Sequence, residues 1–465
     1  MKVMKFGGSS VKDAEKIRDV VSIVKIESEK AQETDAGVAV VLSAMKGITD
    51  TLINCAELAE AGDEAYLESF KAIAQLEKST FIELIGKDKE TEALESLEAM
   101  LLELSEILMG VKMVKECSAR SLDLISSFGE RMNNTVAAAY MRSIGIDAEY
   151  VDTRELVLTD SNYGAAKVNY AESYKLIKER IKGVSGIAMI TGFIGSNEEG
   201  VTTTLGRNGS DFTASIIAAA TGSEVVEIWT DVDGVLSADP RSVKNAYVIP
   251  EISYQEAMEL SYFGAEVIHP YTMIPAVDRD IPILIKNTLN PSAPGTVIAR
   301  NISRHSNPIT GIASIKNTAL INIEGNGMIG TPGIASKVFG ALADSAINVI
   351  MISQASSEHS ISLVFRSVQV DRALEALNRE LSVELKSKRI EKFVIREDLE
   401  IISAIGDNMV GTPGIAGRIF SALGEAGISI LSIAQGSSER SISFVIEKKH
   451  SDKALNTVHD AFFSN

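Results

Sequence analysis

Three short stretches place charged and hydroxyl side chains where the backbone must turn sharply. Lys5-Phe6-Gly7-Gly8-Ser9-Ser10 sets a lysine at the end of an apolar run, then two glycines, then the start of a helical pattern. Glycines let backbone N–H groups approach an anion, and a helix N-terminus favours negative charge, so this is the physical recipe for a phosphate site. It is neither Gly-x-x-x-x-Gly-Lys-Ser/Thr nor a Gly-x-Gly-x-x-Gly dinucleotide turn. Thr204-Leu205-Gly206-Arg207-Asn208-Gly209-Ser210-Asp211 packs a fork-shaped cation, two glycines, a hydroxyl and a carboxylate before an apolar helix. Arg207 suits bidentate capture of a carboxylate, while Asp211 equally suits a helix cap. Trp229-Thr230-Asp231-Val232-Asp233-Gly234 ends a buried run in polar residues, with Asp239-Pro240-Arg241 beyond; Asp231 and Asp233 also suit a plain turn.

These groups need a frame. The first 300 residues alternate strand-like and helix-like patterns, with strands predicted at Lys2–Phe6, Gly37–Ala44, Ile187–Thr191, Val225–Thr230 and Ile281–Ile285. Ser10 and Asp13 form a capping-box pattern ahead of a stripe of Ile17, Val20, Val21 and Val24. Buried-looking strands separated by helices predict an α/β fold, a mainly parallel open sheet sandwiched by helices, with ligands beyond the carboxyl ends of the strands. Residues 55–145 are glycine-poor and rich in Glu, Leu, Ala and Lys, and are expected as helices laid over that sheet. A Pro- and Asn-containing stretch, Asn287 to Pro308, is expected as a linker.

The chain has 465 residues, which points to two or three domains. Its 45 basic and 63 acidic residues leave a charge of −18, the wrong balance for a partner of nucleic acid. Its apolar runs are far short of a membrane span, and the N-terminus fits no signal peptide. With only Cys55 and Cys117, a disulfide framework is excluded, and a reducing, cytoplasmic setting is expected.

An internal repeat dominates the C-terminal third. Met328–Phe365 returns at Met409–Ile446, an ungapped offset of 81 residues with 20 of 38 positions identical. Each copy is predicted as strand, Gly-rich turn, amphipathic helix, strand, tight Ser-Ser-Glu turn, strand. Two copies are too few for a solenoid, so a pair of small α+β modules is expected.

In their order along the chain, Lys5–Val11, Gly129-Glu130-Arg131, Leu205–Asp211, Ile228–Asp233 and Phe263-Gly264-Ala265…His269-Pro270 resemble the aspartate kinases of the amino acid kinase superfamily. The segments Gln354–Ser362 and Gln435–Ser443 resemble that family's paired ACT regulatory modules, and the whole is most similar to the kinase portion of threonine-sensitive aspartokinase–homoserine dehydrogenases. The resemblance implies a catalytic domain at 1–300 and ACT modules at 311–390 and 391–465. It implies ATP-dependent phosphorylation of the side-chain carboxylate of L-aspartate to 4-phospho-L-aspartate, the first step toward lysine, threonine and methionine. By the same carry-over, Lys5, Gly7, Gly8 and Ser9 hold the transferring phosphate and Asp211 positions the lysine. Thr49, Glu130, Arg207 and Ser210 grip aspartate, with Glu130 on the ammonium and Arg207 on the α-carboxylate. Thr230, Asp231 and Arg241 match nucleotide-site positions.

A carboxylate is already ionised at neutral pH, so the reaction needs alignment and charge stabilisation rather than a general base. No His/Cys metal spacing is present; Mg²⁺ is expected to arrive with ATP. Two positions depart from the family pattern: Glu266 stands where lysine is usual, and Leu236 where tyrosine is usual. Gln354 and Gln435 occupy equivalent places in the repeats and suit recognition of an effector amino acid, threonine or else lysine; a tight turn alone also accounts for them. A homodimer or homotetramer through the ACT modules is expected. The second repeat ends about twenty residues before the last residue, so a monofunctional chain is expected. Two other readings stay open: a kinase for another amino acid, and a non-catalytic amino acid sensor.

Overall fold

The computed structural model describes residues 1–32, 37–264, 269–303, 307–354 and 359–463. Glu266 and the first Ser-Ser-Glu turn, 355–358, lie outside them. The chain divides into two compact units: Met1–Val235 with Val248–Tyr254 and Glu266–Ile302, and Leu236–Tyr247 with Gln255–Ala265 and Ser303–Asn465.

In the first unit the strands are β1 (Lys2–Phe6), β2 (Val38–Leu42), β3 (Ala148–Val151), β4 (Ile187–Thr191), β5 (Ile194–Ser196), β6 (Thr202–Thr204), β7 (Val225–Thr230), β8 (Glu251–Ser253), β9 (Ile283–Asn287) and β10 (Thr296–Ala299). The helices are α1 (Ala14–Gln32), α2 (Ile48–Ala61), α3 (Ala65–Ile85), α4 (Thr91–Val114), α5 (Ala119–Ser143), α6 (Tyr170–Lys182), α7 (Gly209–Thr221) and, before β9, α9 (Pro270–Asp278), while α8 (Tyr254–Tyr262), which follows β8, is counted almost wholly with the second unit. Eight strands form one sheet in the order β3-β4-β2-β1-β7-β9-β10-β8. From β3 to β9 every neighbour is parallel; only the β9–β10 pair is antiparallel. Every residue of β2 and β4 is buried, which requires cover on both faces. Helix α5 packs on β3 and β4 and carries α2, α3 and α4 on its other side, while α7, flanked by α6 and α9, packs on β1 and β7. The helical layer closes over Leu52, Phe81, Leu97, Leu104 and Phe128, all fully buried.

Two local expectations change. Gly8–Val11 forms a 3-10 turn, so α1 starts only at Ala14 and the capping oxygen is Oδ1 of Asp13, which accepts the Lys16 N–H at 2.9 Å. The Ser10 hydroxyl instead meets Thr288 Oγ1 at 2.7 Å. The stretch expected as a linker contains β10, where Thr296 and Ile298 are buried while Val297 faces outward. That period of two was too short to stand out between prolines and a glycine.

The second unit carries β11 (Gly311–Glu324), α10 (Ile334–Asp344), β12 (Met351–Gln354), β13 (Ser360–Arg366), α11 (Val370–Glu380) and α12 (Ser382–Lys386). The repeat follows as β14 (Lys392–Ile405), α13 (Ile415–Glu425), β15 (Ser432–Gln435), β16 (Ser441–Glu447) and α14 (Ser451–Phe463). The two copies share one antiparallel sheet, β12-β13-β11-β14-β16-β15, joined through the long β11–β14 pair. Each copy has its own core, around Val338 and Phe365 in the first and Ile419 and Phe444 in the second. Gly325 and Gly406, one repeat apart, are glycines for the same reason: a Cβ at either would run into a passing carbonyl, of Arg389 and of Pro308.

Candidate active site

Because β1, β2, β4 and β7 are parallel neighbours, their carboxyl ends lie along one edge of the sheet. Register aligns Phe6 with Leu42 and Trp229, and Leu42 with Thr191. Each strand therefore hands over to a polar loop at the same level: Gly7-Gly8, Ser43-Ala44, Gly192 and Asp231.

Lys5 lies one residue inside the end of β1, and its Nζ pairs with Asp211 Oδ1 at 2.6 Å. Both are almost wholly buried, at 8% and 4% exposed. Asp211 is in the first turn of α7 and not at its cap, a place taken by Asn208 in the left-handed conformation (φ 57°). The Asn208 amide donates to the other Asp211 oxygen at 3.3 Å. The ion pair thus ties the end of β1 to the N-terminus of α7. Beside it the backbone runs tight. A Cβ on Gly7 would come 3.5 Å from Lys5 Nζ, and one on Gly8 would meet the Ala44 carbonyl at 2.9 Å. Ser9 follows half-buried in the 3-10 turn, whose leading N–H groups are the anion donors this turn offers.

Ser210, next to Asp211, shares a 2.8 Å hydrogen bond with the Ser43 hydroxyl at the end of β2. Glu130, in the middle of α5, reaches the same strand end: the Ala44 backbone lowers its pKa through a hydrogen bond, yet burial dominates and pushes the carboxyl up to about 8. Its Oε2 is buried without a hydrogen-bond partner. Asn133 and Asn134, one turn on, donate to the Ser43 carbonyl at 2.7 Å and the Leu42 carbonyl at 3.4 Å, fixing α5 against the end of β2. Thr49 is half-buried in the first turn of α2, after Gly47 (φ 83°). Arg207 is exposed just before α7. Its loop is fixed by Asp123 of α5, which accepts the Gly164 N–H at 3.0 Å and both the N–H and the hydroxyl of Thr204 at 2.8 Å. Burial nonetheless leaves the Asp123 carboxyl above its ordinary value.

On the β7 side, Thr230 Oγ1 donates to Asp231 Oδ1 at 3.3 Å, and Asp233 accepts the amides of Asn287 and Asn290 at 2.8 and 3.2 Å. Leu236 is half-buried and counted with the second unit. Arg241 also belongs to the second unit, where its exposed guanidinium chelates Asp239 and holds that carboxyl below its ordinary range. Gln435 ends β15 and lines a cavity of about 310 Å³ with Thr412, Gly414 and Glu439; Gln354 ends β12, exposed, at the equivalent place. Sequence reasoning missed Ser43, Asp123, Asn133 and Asn134. Only the position of Ser43 after an apolar strand could have marked it.

A buried lysine–carboxylate pair stands at the glycine-lined ends of a parallel sheet, and the chain belongs to the amino acid kinase family, whose profile matches residues 1–287. An ACT domain profile matches 321–381 and again 402–462. Within that family it belongs with the aspartokinases. It is 39% identical over 469 residues to the bifunctional aspartokinase/homoserine dehydrogenase 1, chloroplastic, of Arabidopsis thaliana, covering 99% of this chain and 51% of that one. To Aspartokinase 1, chloroplastic, of the same plant it is 33% identical, covering 100% of this chain and 80% of the relative. The chain spans about half the length of the bifunctional relatives it matches. Escherichia coli aspartokinase III, solved with aspartate and ADP in an R-state and with lysine and aspartate in a T-state, is 28% identical. TM-scores are 0.80 and 0.79, and each comparison covers 100% of both chains.

Proposed function

We propose that this chain transfers the γ-phosphoryl group of ATP to the side-chain carboxylate of L-aspartate. The observation that carries the reading is the buried Lys5–Asp211 pair at 2.6 Å, placed where the turn after β1 and the N-terminus of α7 converge. Aspartate presents three groups, and the helices and loop around the strand ends carry residues of matching chemistry. Glu130 takes the ammonium, Arg207 the α-carboxylate, and Thr49 and Ser210 steady the rest. A side-chain carboxylate oxygen then attacks the γ-phosphorus in line while the bond to the ADP oxygen breaks. The products are ADP and an acyl phosphate, 4-phospho-L-aspartate. Lys5 and the N–H groups of Gly8 and Ser9 stabilise charge on the transferring oxygens, while Gly7, whose own N–H goes to the Trp229 carbonyl, leaves room beside Lys5 Nζ. No base is needed, because the nucleophile is already ionised. MgATP is the substrate form, the hard cation riding on phosphate oxygens with its waters; among the described residues no group of three or more His, Cys, Asp or Glu is placed to hold a metal. Thr230 and Asp231 serve the nucleotide.

We assign the catalytic domain to 1–300 and the regulatory modules to 311–390 and 391–465. The effector is threonine, read by Gln435 and, in the first module, Gln354, and the chain assembles as a homodimer or homotetramer through the modules. Exposed Ile352 on β12 and Ile433 on β15, one repeat apart on the two edge strands, support the assembly. One observation favours lysine instead: Glu439 contributes a carboxylate to the cavity of Gln435, although it already accepts the Gly411 N–H at 2.7 Å.

A hydroxamate assay with MgATP and a panel of aspartate, glutamate and acetylglutamate tests the reaction. Product with aspartate alone is expected. Product only with another acceptor moves the chain to a different amino acid kinase, and no product with any leaves a sensor. Adding millimolar threonine or lysine reads the effector, and Gln435→Ala is expected to weaken that inhibition about tenfold.

A further inference from the structure

We propose that the first unit has a second ligand site, a pocket between α4, α5 and the β3 end that binds a small monocarboxylate on Arg131. The pocket encloses about 330 Å³, a volume that suits a small organic acid. Exposed Glu92 and Ser96 stand at its mouth, and buried Met100, Ala138 and Arg131 form its floor.

Three guanidiniums line it, and two already hold a carboxylate through Nε and Nη2. Arg154 gives Nε and Nη2 to Asp152 at 2.7–3.1 Å, with the Tyr150 hydroxyl on the same carboxylate at 3.2 Å. Arg142 gives Nε and Nη2 to Glu90 at 3.0 and 2.7 Å and Nη1 to the Ala148 carbonyl. Arg131 differs. It is 8% exposed, its Nη2 makes one long bond of 3.3 Å to the half-exposed Glu103, and its Nη1 is buried with no partner. The plane is held 4.5 Å over the Phe128 ring, which fixes where the free edge points.

An unpaired buried guanidinium N–H is costly, and native structures rarely leave one unmatched. The free edge offers adjacent Nη1 and Nη2 donors, the geometry a carboxylate fits bidentately. Ala93, Met100 and Ala138 form an apolar wall beside that edge, so the ligand that fits is one carboxylate on a short apolar tail. Glu130 and Arg131 are successive on α5, about 100° apart around the helix. Glu130 therefore faces the β2 end while Arg131 faces this pocket, and neither site uses the other's side chain.

Saturation-transfer NMR of butyrate with the full chain tests the proposal. Transfer is expected in the parent and, undiminished, in Arg207→Ala, which removes the other carboxylate-binding arginine. It should fall about tenfold in Arg131→Met. Ser96→Trp, an exposed substitution that closes the mouth without touching the core, should produce the same loss. No transfer in the parent, transfer abolished by Arg207→Ala, or transfer unchanged by Ser96→Trp would each overturn the site. Displacement of butyrate by an equal concentration of inorganic phosphate would overturn the choice of a carboxylate with an apolar tail.

Discussion

At the scale of single residues, the chemistry rests on buried charge. In the proposed transfer Lys5 reaches the γ-phosphoryl group from one side of an ion pair whose other half, Asp211, holds its direction. Lys5→Met is expected to lower kcat by about 10²–10³ with a smaller effect on the KM for aspartate, because the lost interaction forms chiefly in the transition state. Steady-state rates with both substrates varied would show it. Glu130 makes a pH prediction. In the free protein burial pushes its carboxyl up to about 8, so it is protonated at neutrality and must lose that proton to hold an ammonium. The KM for aspartate should therefore fall as pH rises from 6 toward 8 and level off above. A flat profile would remove Glu130 from the ammonium site. Lys5, Gly7 and Gly8 were legible as candidates because their types and spacing coincide with a strand end, and Asp211 because it opens an apolar helix. Ser43 and Asn133 were not, since a hydroxyl after an apolar run and an amide within a helix look like ordinary punctuation until the two elements meet.

At the scale of elements, parallel strands do the positioning, and helices set how firmly. Asp123 joins α5 to the Gly164 and Thr204 backbones, so it fixes the loop that carries Arg207 from outside the site. Asp123→Asn keeps the shape but turns one accepting oxygen into a donor facing N–H groups. It is expected to raise the KM for aspartate several-fold with little change in the KM for ATP. Helix α3 holds a different liability. Glu77 is fully buried, neither oxygen has a partner, and burial pushes its pKa up to about 8. A carboxyl raised in the folded state costs nothing below its unfolded value near 4.5; the penalty grows as pH rises and is complete above about 8. Glu77→Met should therefore stabilise by on the order of a few kcal/mol at pH 8 and much less at pH 5. Thermal melts at the two pH values check this, and an equal gain at both would contradict it. The main strands were readable as uniform apolar runs. The start of α1 was not, because a 3-10 turn imitates the first turn of a helix, and β10 was hidden by its proline and glycine neighbours.

At the scale of the whole molecule, the repeat was visible in the sequence as an exact offset, but the sharing of strands was not. Which edges pair depends on contacts between segments some 80 residues apart, here the antiparallel β11–β14 seam. The paired glycines 325 and 406 show how closely the two copies follow one plan. Among the described residues no helix is long and apolar enough to cross a membrane. The proposed transfer is followed directly by ³¹P NMR of the chain with MgATP and L-aspartate. An acyl-phosphate resonance should grow in step with ADP, and should be absent with Lys5→Met over the same interval. ADP appearing with inorganic phosphate and no acyl phosphate, or an acyl phosphate formed equally well by Lys5→Met, would contradict the proposed transfer.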